Sequence, residues 1–131
     1  MDPATGDLWI ADSGNCRIRV LRAASNTVST VVGSSCPPPL GVGSFGPLAT
    51  ATLGTPGGIV YDSPNRNLYV TQLQLHVILR ISVGAGTVSI VAGTLNVSGW
   101  TPDGPAALSL LAAPLGIAMG PDRASVYWTE V

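Results

Sequence analysis

Charge is what this sequence has least of. Asp, Glu, Lys and Arg together make up 10% of its 131 residues, against roughly 25% in ordinary soluble domains. Six basic and seven acidic side chains nearly cancel. No surface of one sign is on offer for a phosphate backbone, and nucleic-acid binding is not expected. A single histidine leaves general-base chemistry without an orienting partner, and one His with two distant Cys has no metal-ligand spacing. Neither a nucleophile motif nor a phosphate loop is present. No catalytic residue, metal or cofactor is therefore expected. Long apolar runs are missing as well. Although 46% of the residues are hydrophobic, they fall in short runs broken by Gly, Pro, Ser and Asn, far below the ~20 residues of a membrane helix. Membrane insertion is not expected. The segment Met1 to Gly6 is neither basic nor apolar, so no secretory leader is read in it.

What the sequence does have is itself, again. Leu8-Trp9-Ile10-Ala11 returns 60 residues on as Leu68-Tyr69-Val70-Thr71, and Thr27-Val28-Ser29-Thr30-Val31-Val32-Gly33 returns as Thr87-Val88-Ser89-Ile90-Val91-Ala92-Gly93. Pro56-Gly57-Gly58-Ile59-Val60 returns at a spacing of 58 as Pro114-Leu115-Gly116-Ile117-Ala118. Val126-Tyr127-Trp128-Thr129-Glu130 stands where Leu68 to Gln72 stood. A fixed period of this size marks one supersecondary unit used several times, and such units bury their apolar faces only against neighbours.

Each run is rich in Val, Ile, Thr, Tyr and Trp and is bounded by turn residues, as strands are. Strands are predicted near 7–12, 17–22, 27–33, 58–62, 67–71, 77–82, 87–92, 115–119 and 125–130. Their nearly continuous apolar character predicts cover on both faces. Short Gly, Asn and Pro loops join them, which forces antiparallel neighbours. The predicted fold is all-β, a β-propeller fragment of about two and a quarter four-stranded antiparallel blades. Its organisation reads as a partial blade at 1–33, a linker at 34–57, a full blade at 58–93, a linker at 94–114 and the start of a further blade at 115–131. Pro105 predicts a short helical turn in the second linker, and Pro47 a weaker one in the first.

The residues also carry a family resemblance. Asp7-Leu8-Trp9-Ile10-Ala11-Asp12-Ser13-Gly14-Asn15-Cys16-Arg17-Ile18-Arg19 resembles the signature of the NHL repeat, in which a strand ending in Ala-Asp is followed by Gly-Asn-His-Arg-Ile. Thr27 to Gly33 and Thr87 to Gly93 resemble the family's blade-closing strand, Pro56 to Asp62 and Pro114 to Met119 its opening strand, and Asp103-Gly104-Pro105-Ala106 its acidic, Gly-rich linker. Cys16 stands where the family usually has His, and Gln72, Leu75 and Val77 replace the signature in the second unit. The resemblance implies a six-bladed-propeller-like scaffold for protein binding or ligand display. It implies that the turns at 12–16 and 72–76 share one face with the linkers at 34–57 and 94–114. Alternatives are a fragment of a propeller enzyme, lactonase-like or a lyase, and an RNA-binding NHL domain.

On that face Asn15, Arg17, Gln74, His76 and Trp100 are the candidate binding residues. Asp12 and Arg17 flank a short turn and read as a structural pair across it. Trp100, in a Ser-Gly-Trp-Thr-Pro loop, is open to two readings, a binding anchor or linker packing. Trp9, Tyr69, Tyr127 and Trp128 recur in one strand of successive units, which predicts packing between blades. Cys16 and Cys36 read as ordinary thiols, since two cysteines are no disulfide framework. Asn96-Val97-Ser98 has the form of a glycosylation sequon, a tripeptide that also arises by chance. Partial units at both ends carry one more expectation: residues 1–131 are not self-sufficient, and a protein partner or further repeats of a longer chain complete them.

Overall fold

The computed structural model describes residues 1–34, 36 and 44–131. Part of the first linker, at 35 and 37–43, lies outside them. Alternating apolar stretches and tight turns give three antiparallel sheets. The first joins β1 (Leu8–Asp12), β2 (Arg17–Arg22) and β3 (Thr27–Val32) in chain order. A two-residue strand β4 (Gly46–Pro47) then leads to β5 (Pro56–Asp62), β6 (Asn67–Gln72), β7 (Val77–Ser82) and β8 (Thr87–Gly93). These form a five-stranded sheet ordered β4-β8-β7-β6-β5. β9 (Pro114–Met119) and β10 (Val126–Glu130) make the third sheet. The chain is all-β and propeller-like, with only two 3-10 turns among the described residues, at Ser13–Asn15 and Ala106–Leu108.

The repeat holds in the registers. Leu68 pairs with Ile81 and Val70 with Leu79 in the second blade, as Leu8 pairs with Leu21 and Ile10 with Arg19 in the first. Both β2–β3 and β7–β8 shift register one step from the same end, between Ile18 and Arg19 and between Ile78 and Leu79. The larger core lies between the first two blades. Ile18, Val20, Leu53, Leu68, Leu75 and Leu79 are fully buried there. Burying one such side chain stabilises by about 1.5–3 kcal/mol. A second cluster, Ile78, Ala92 and Leu111 with Ile117 and Trp128 against it, joins the second blade to the third.

Close approach of blades needs glycine at one place. A Cβ on Gly58 would stand 2.7 Å from the Leu115 carbonyl oxygen. The Gly58 amide instead donates to Thr71 Oγ1 at 2.8 Å, and that hydroxyl donates to Leu115 O at 2.8 Å. One side chain thereby ties two strands of its own blade to the next.

Four expectations change. β4 appears where no strand is predicted, and pairs Gly46 with Val88 and Pro47 with Thr87 on the outer edge of the second blade. Pro47 does begin a turn, because its carbonyl accepts from Ala51 N–H at 3.0 Å, but this is a single turn following a strand. Cys16 and Cys36 form a disulfide with Cα atoms 5.0 Å apart; the left-handed Cys16 (φ 52°) ends the 3-10 turn beside the segment leaving β3. Of the four recurring aromatics, Trp9 is buried and meets Tyr61 with ring centroids 5.0 Å apart, and Trp128 packs on the second cluster, whereas Tyr127 is 62% exposed.

Candidate functional site

Antiparallel connectivity sends the β1–β2 turn, the β6–β7 turn and the second linker to one end of the blades, whereas the first linker, expected there too, crosses to the other end, where Leu48 N–H donates to Gly86 O at 2.9 Å. This end holds all five candidate residues, and four of them bond within the frame. Asn15 Nδ2 donates to both oxygens of Asp12, at 2.9 and 3.1 Å. Arg17 Nε donates to Ser34 O at 2.7 Å. Gln74 Oε1 accepts from Thr55 Oγ1 at 3.1 Å. His76 Nδ1 accepts from the Ala113 amide at 3.1 Å, which places the ring proton of the neutral form on Nε2. Trp100 differs from the rest, being 80% exposed.

The Asp12–Arg17 pair is corrected in one respect. The two residues are register partners across the turn, but Arg17 reaches away to Ser34, and the cation beside Asp12 is Arg19, with Nη1 3.8 Å from Oδ2. Alternation along β2 puts Arg17 and Arg19 on one face, and it is Arg19 that turns toward the carboxylate. This is a long ion pair between half-buried side chains. Asp12 serves the Asn15 turn first.

Trp100 stands on the second linker, which folds back on itself. Ser98 bridges Leu111, Gly99 N–H donates to Leu111 O at 3.3 Å, and Leu110 N–H donates to Thr101 Oγ1 at 3.2 Å. This fold brings Trp100 and Asp103 against the end of β10. A cleft of about 440 Å³ opens there, with Trp100, Trp128, Asp103, Glu130 and Leu110 in its lining. Glu130 is held by two bonds, Trp128 Nε1 to one oxygen at 3.2 Å and Ala112 N–H to the other at 3.0 Å. Position for position in the repeat it replaces Asp12 and Gln72. Gln72 is fully buried and neither polar atom of its amide meets a partner among the described residues. The other four candidate residues do not line the cleft.

The other end of the blades carries a smaller cleft, about 300 Å³, at the seam of the first two blades. Asp2, Asp7, Arg22 and Arg66 contribute balanced charge around Trp9 and Tyr61. Arg22 Nη1 lies 2.8 Å from Asp7 Oδ2 and its guanidinium sits 5.9 Å from the Trp9 ring. The Ala23 amide and then Arg22 hold the Asp7 carboxyl below its ordinary value. Burial, then the nearby Asp2 carboxylate, pushes the Tyr61 hydroxyl up. None of these residues is singled out by sequence as a site. The signal was their departure from the repeat: Asp7, Arg22 and Tyr61 become Asn67, Ser82 and Met119 in the following unit.

No known family's sequence profile and no curated protein matches the chain. Solved structures do. A protein of unknown function from Bacteroides thetaiotaomicron superposes with a TM-score of 0.83 at 17% identity, covering 98% of this chain and 30% of its own. An auxiliary nutrient binding protein from Bacteroides ovatus gives 0.71 at 19% identity, over 92% of this chain and 31% of that one. Another from Bacteroides thetaiotaomicron gives 0.74 at 18% identity, over 96% and 32%. The likeness is one of fold, and the chain spans about a third of the length of each of these proteins. Among the described residues no helix is long and apolar enough to cross a membrane.

Proposed function

We propose that this chain is part of a non-catalytic binding scaffold of the NHL-repeat type, which presents a small ligand or a protein partner at its linker end. The observation that carries the reading is Trp100. A tryptophan 80% exposed, on a hydrogen-bonded linker and beside a cleft of about 440 Å³, is the kind of anchor that dominates recognition surfaces, and the cleft is of small-ligand size. The frame supports it: turns and linkers on a rigid sheet are where such folds place function. The names of two structural neighbours, both nutrient binding proteins, agree with a binding role. His76 supports the absence of a catalytic step, because its Nδ1 serves the Ala113 amide. Near-zero net charge supports a partner other than nucleic acid.

The test is a fragment library screened against the isotopically labelled protein by amide chemical shifts. Shifts are expected at 98–111 and in the turns at 12–16 and 72–76. Shifts confined to the turns at 22–27 and 62–67 would place binding at the opposite end and sink the reading.

A further inference from the structure

We propose that the Trp100 cleft takes a small organic cation, an alkylammonium head carrying apolar substituents. This rests on the reading of the linker end as the binding face and adds the chemical class of the ligand. The lining contributes two carboxylates, Asp103 and Glu130, and none of the chain's six basic residues. The cleft therefore carries acidic side chains with no internal counter-charge. An anion is repelled, and a neutral polyol gains nothing from the charge.

The two carboxylates differ in a useful way. Glu130 is fixed by the Trp128 and Ala112 donors, so its charge is already in place when a ligand arrives. Asp103 has no hydrogen-bond or ion-pair partner among the described residues. It sits between Pro102 and Pro105, whose fixed φ angles restrict the loop. The aromatic walls supply the rest. Trp100 is exposed and Trp128 half-buried, and an indole face is the strongest aromatic acceptor for a cation. Leu110 and Ala106 add apolar lining suited to methyl or methylene groups rather than to a hydrated metal ion. The seam cleft around Trp9 lacks this one-signed character, because its two Asp are matched by two Arg.

The test is calorimetric titration of the full protein at low salt with choline and with 3,3-dimethylbutan-1-ol, its uncharged isostere. Choline is expected to bind about tenfold more tightly than the isostere, and to weaken as salt is raised. Trp100→Ala and Asp103→Asn are both surface changes that leave the melting curve in place, and each is expected to weaken choline about three- to tenfold. Equal binding of choline and the isostere, preference for D-glucose over choline, or unchanged affinity in both variants would overturn the proposal. No choline binding, with fragments still shifting residues 98–111, would mean that the class is wrong and the face is right. Silence from both choline and the fragments would remove the face as well.

Discussion

Gly93 lies against the carbonyl of His76 so closely that no other residue fits. A β-carbon there would collide with His76 O and stand 3.0 Å from Val77 Cα. Gly33 stands in the same relation to Cys16 and Arg17. Both glycines have positive φ, 97° and 90°, and both face a left-handed residue, Cys16 at 52° and His76 at 57°. The closing strand of each blade ends by folding over the left-handed residue of the preceding turn. This explains why Gly recurs at that point of the repeat.

Gly93→Ala is therefore expected to cost about 2–4 kcal/mol, combining backbone strain with a clash against unyielding main chain. Gly33→Ala should behave alike. Gly84→Ala, where an added Cβ meets nothing within 4 Å, is the control and should be close to neutral. Urea denaturation midpoints of the three variants decide the matter.

The Thr71 hydroxyl joins the second and third blades through Gly58 N–H and Leu115 O. Thr71→Val keeps the volume and leaves both partners without it, so a loss of about 1–3 kcal/mol is expected. Thr129 is its counterpart in the third unit and accepts from Gly116 N–H at 3.0 Å, with only that half of the tie formed. Thr129→Val should cost clearly less. Equal losses in the two variants would mean that the bond between blades contributes nothing measurable.

The frame was legible in the sequence because the same apolar and turn residues return at a fixed spacing. Leu8 and Leu68, Gly33 and Gly93, and Pro56 and Pro114 mark equivalent places without any need of three-dimensional knowledge. β4 was not legible, since Gly46–Pro47 sits in a Gly- and Pro-rich stretch with no apolar alternation and owes its strand character to the edge of β8. The bond between Cys16 and Cys36 was missed because a separation of 20 says nothing of distance in space. At the site, Trp100 stood out by its loop context. Its cleft did not, because Trp128 and Glu130 lie about 30 residues away and come near only when the linker folds back. Asn15, Arg17, Gln74 and His76 do gather at one end of the blades, but Asn15 bonds within its own turn and the other three bond to neighbouring segments, at Ser34, Thr55 and Ala113.

The disulfide closes a loop with a separation of 20 residues, for which restriction of the unfolded chain contributes about 3 kcal/mol. Cys36→Ser should lower stability by about that amount. Iodoacetamide should leave the unreduced protein's mass unchanged and add two groups only after reduction. Alkylation of both thiols without reductant would show that the bond does not form.

The seam of the first two blades carries opposite pH limits. Asp7 titrates below its ordinary 3.8, so its contribution is present above that pH and is lost as pH falls through the lowered value. Tyr61 titrates above its ordinary 10.0, so its contribution is present below that pH and is lost as pH rises through the raised value. Asp7→Asn should flatten the acid limb of stability against pH, and Tyr61→Phe the alkaline limb. Denaturation midpoints measured across both limbs check each assignment separately.

The last prediction concerns the outward faces of the first and third sheets. Leu8 and Val28 are 45% and 48% exposed, while their repeat equivalents Leu68 and Val88 are 0% and 3% exposed in the middle blade. Leu115 and Tyr127 are 45% and 62% exposed on the third sheet. The same positions are thus core where a neighbouring blade covers them and surface where none does. With charged residues at 10%, little guards these faces against association. Residues 1–131 expressed alone are expected to self-associate, and Tyr127→Lys with Leu8→Lys to reduce that without loss of the β-rich far-UV spectrum. Light scattering that finds residues 1–131 monomeric, together with a cooperative thermal transition of their own, would show that the middle blade and its two partial neighbours suffice as a folding unit.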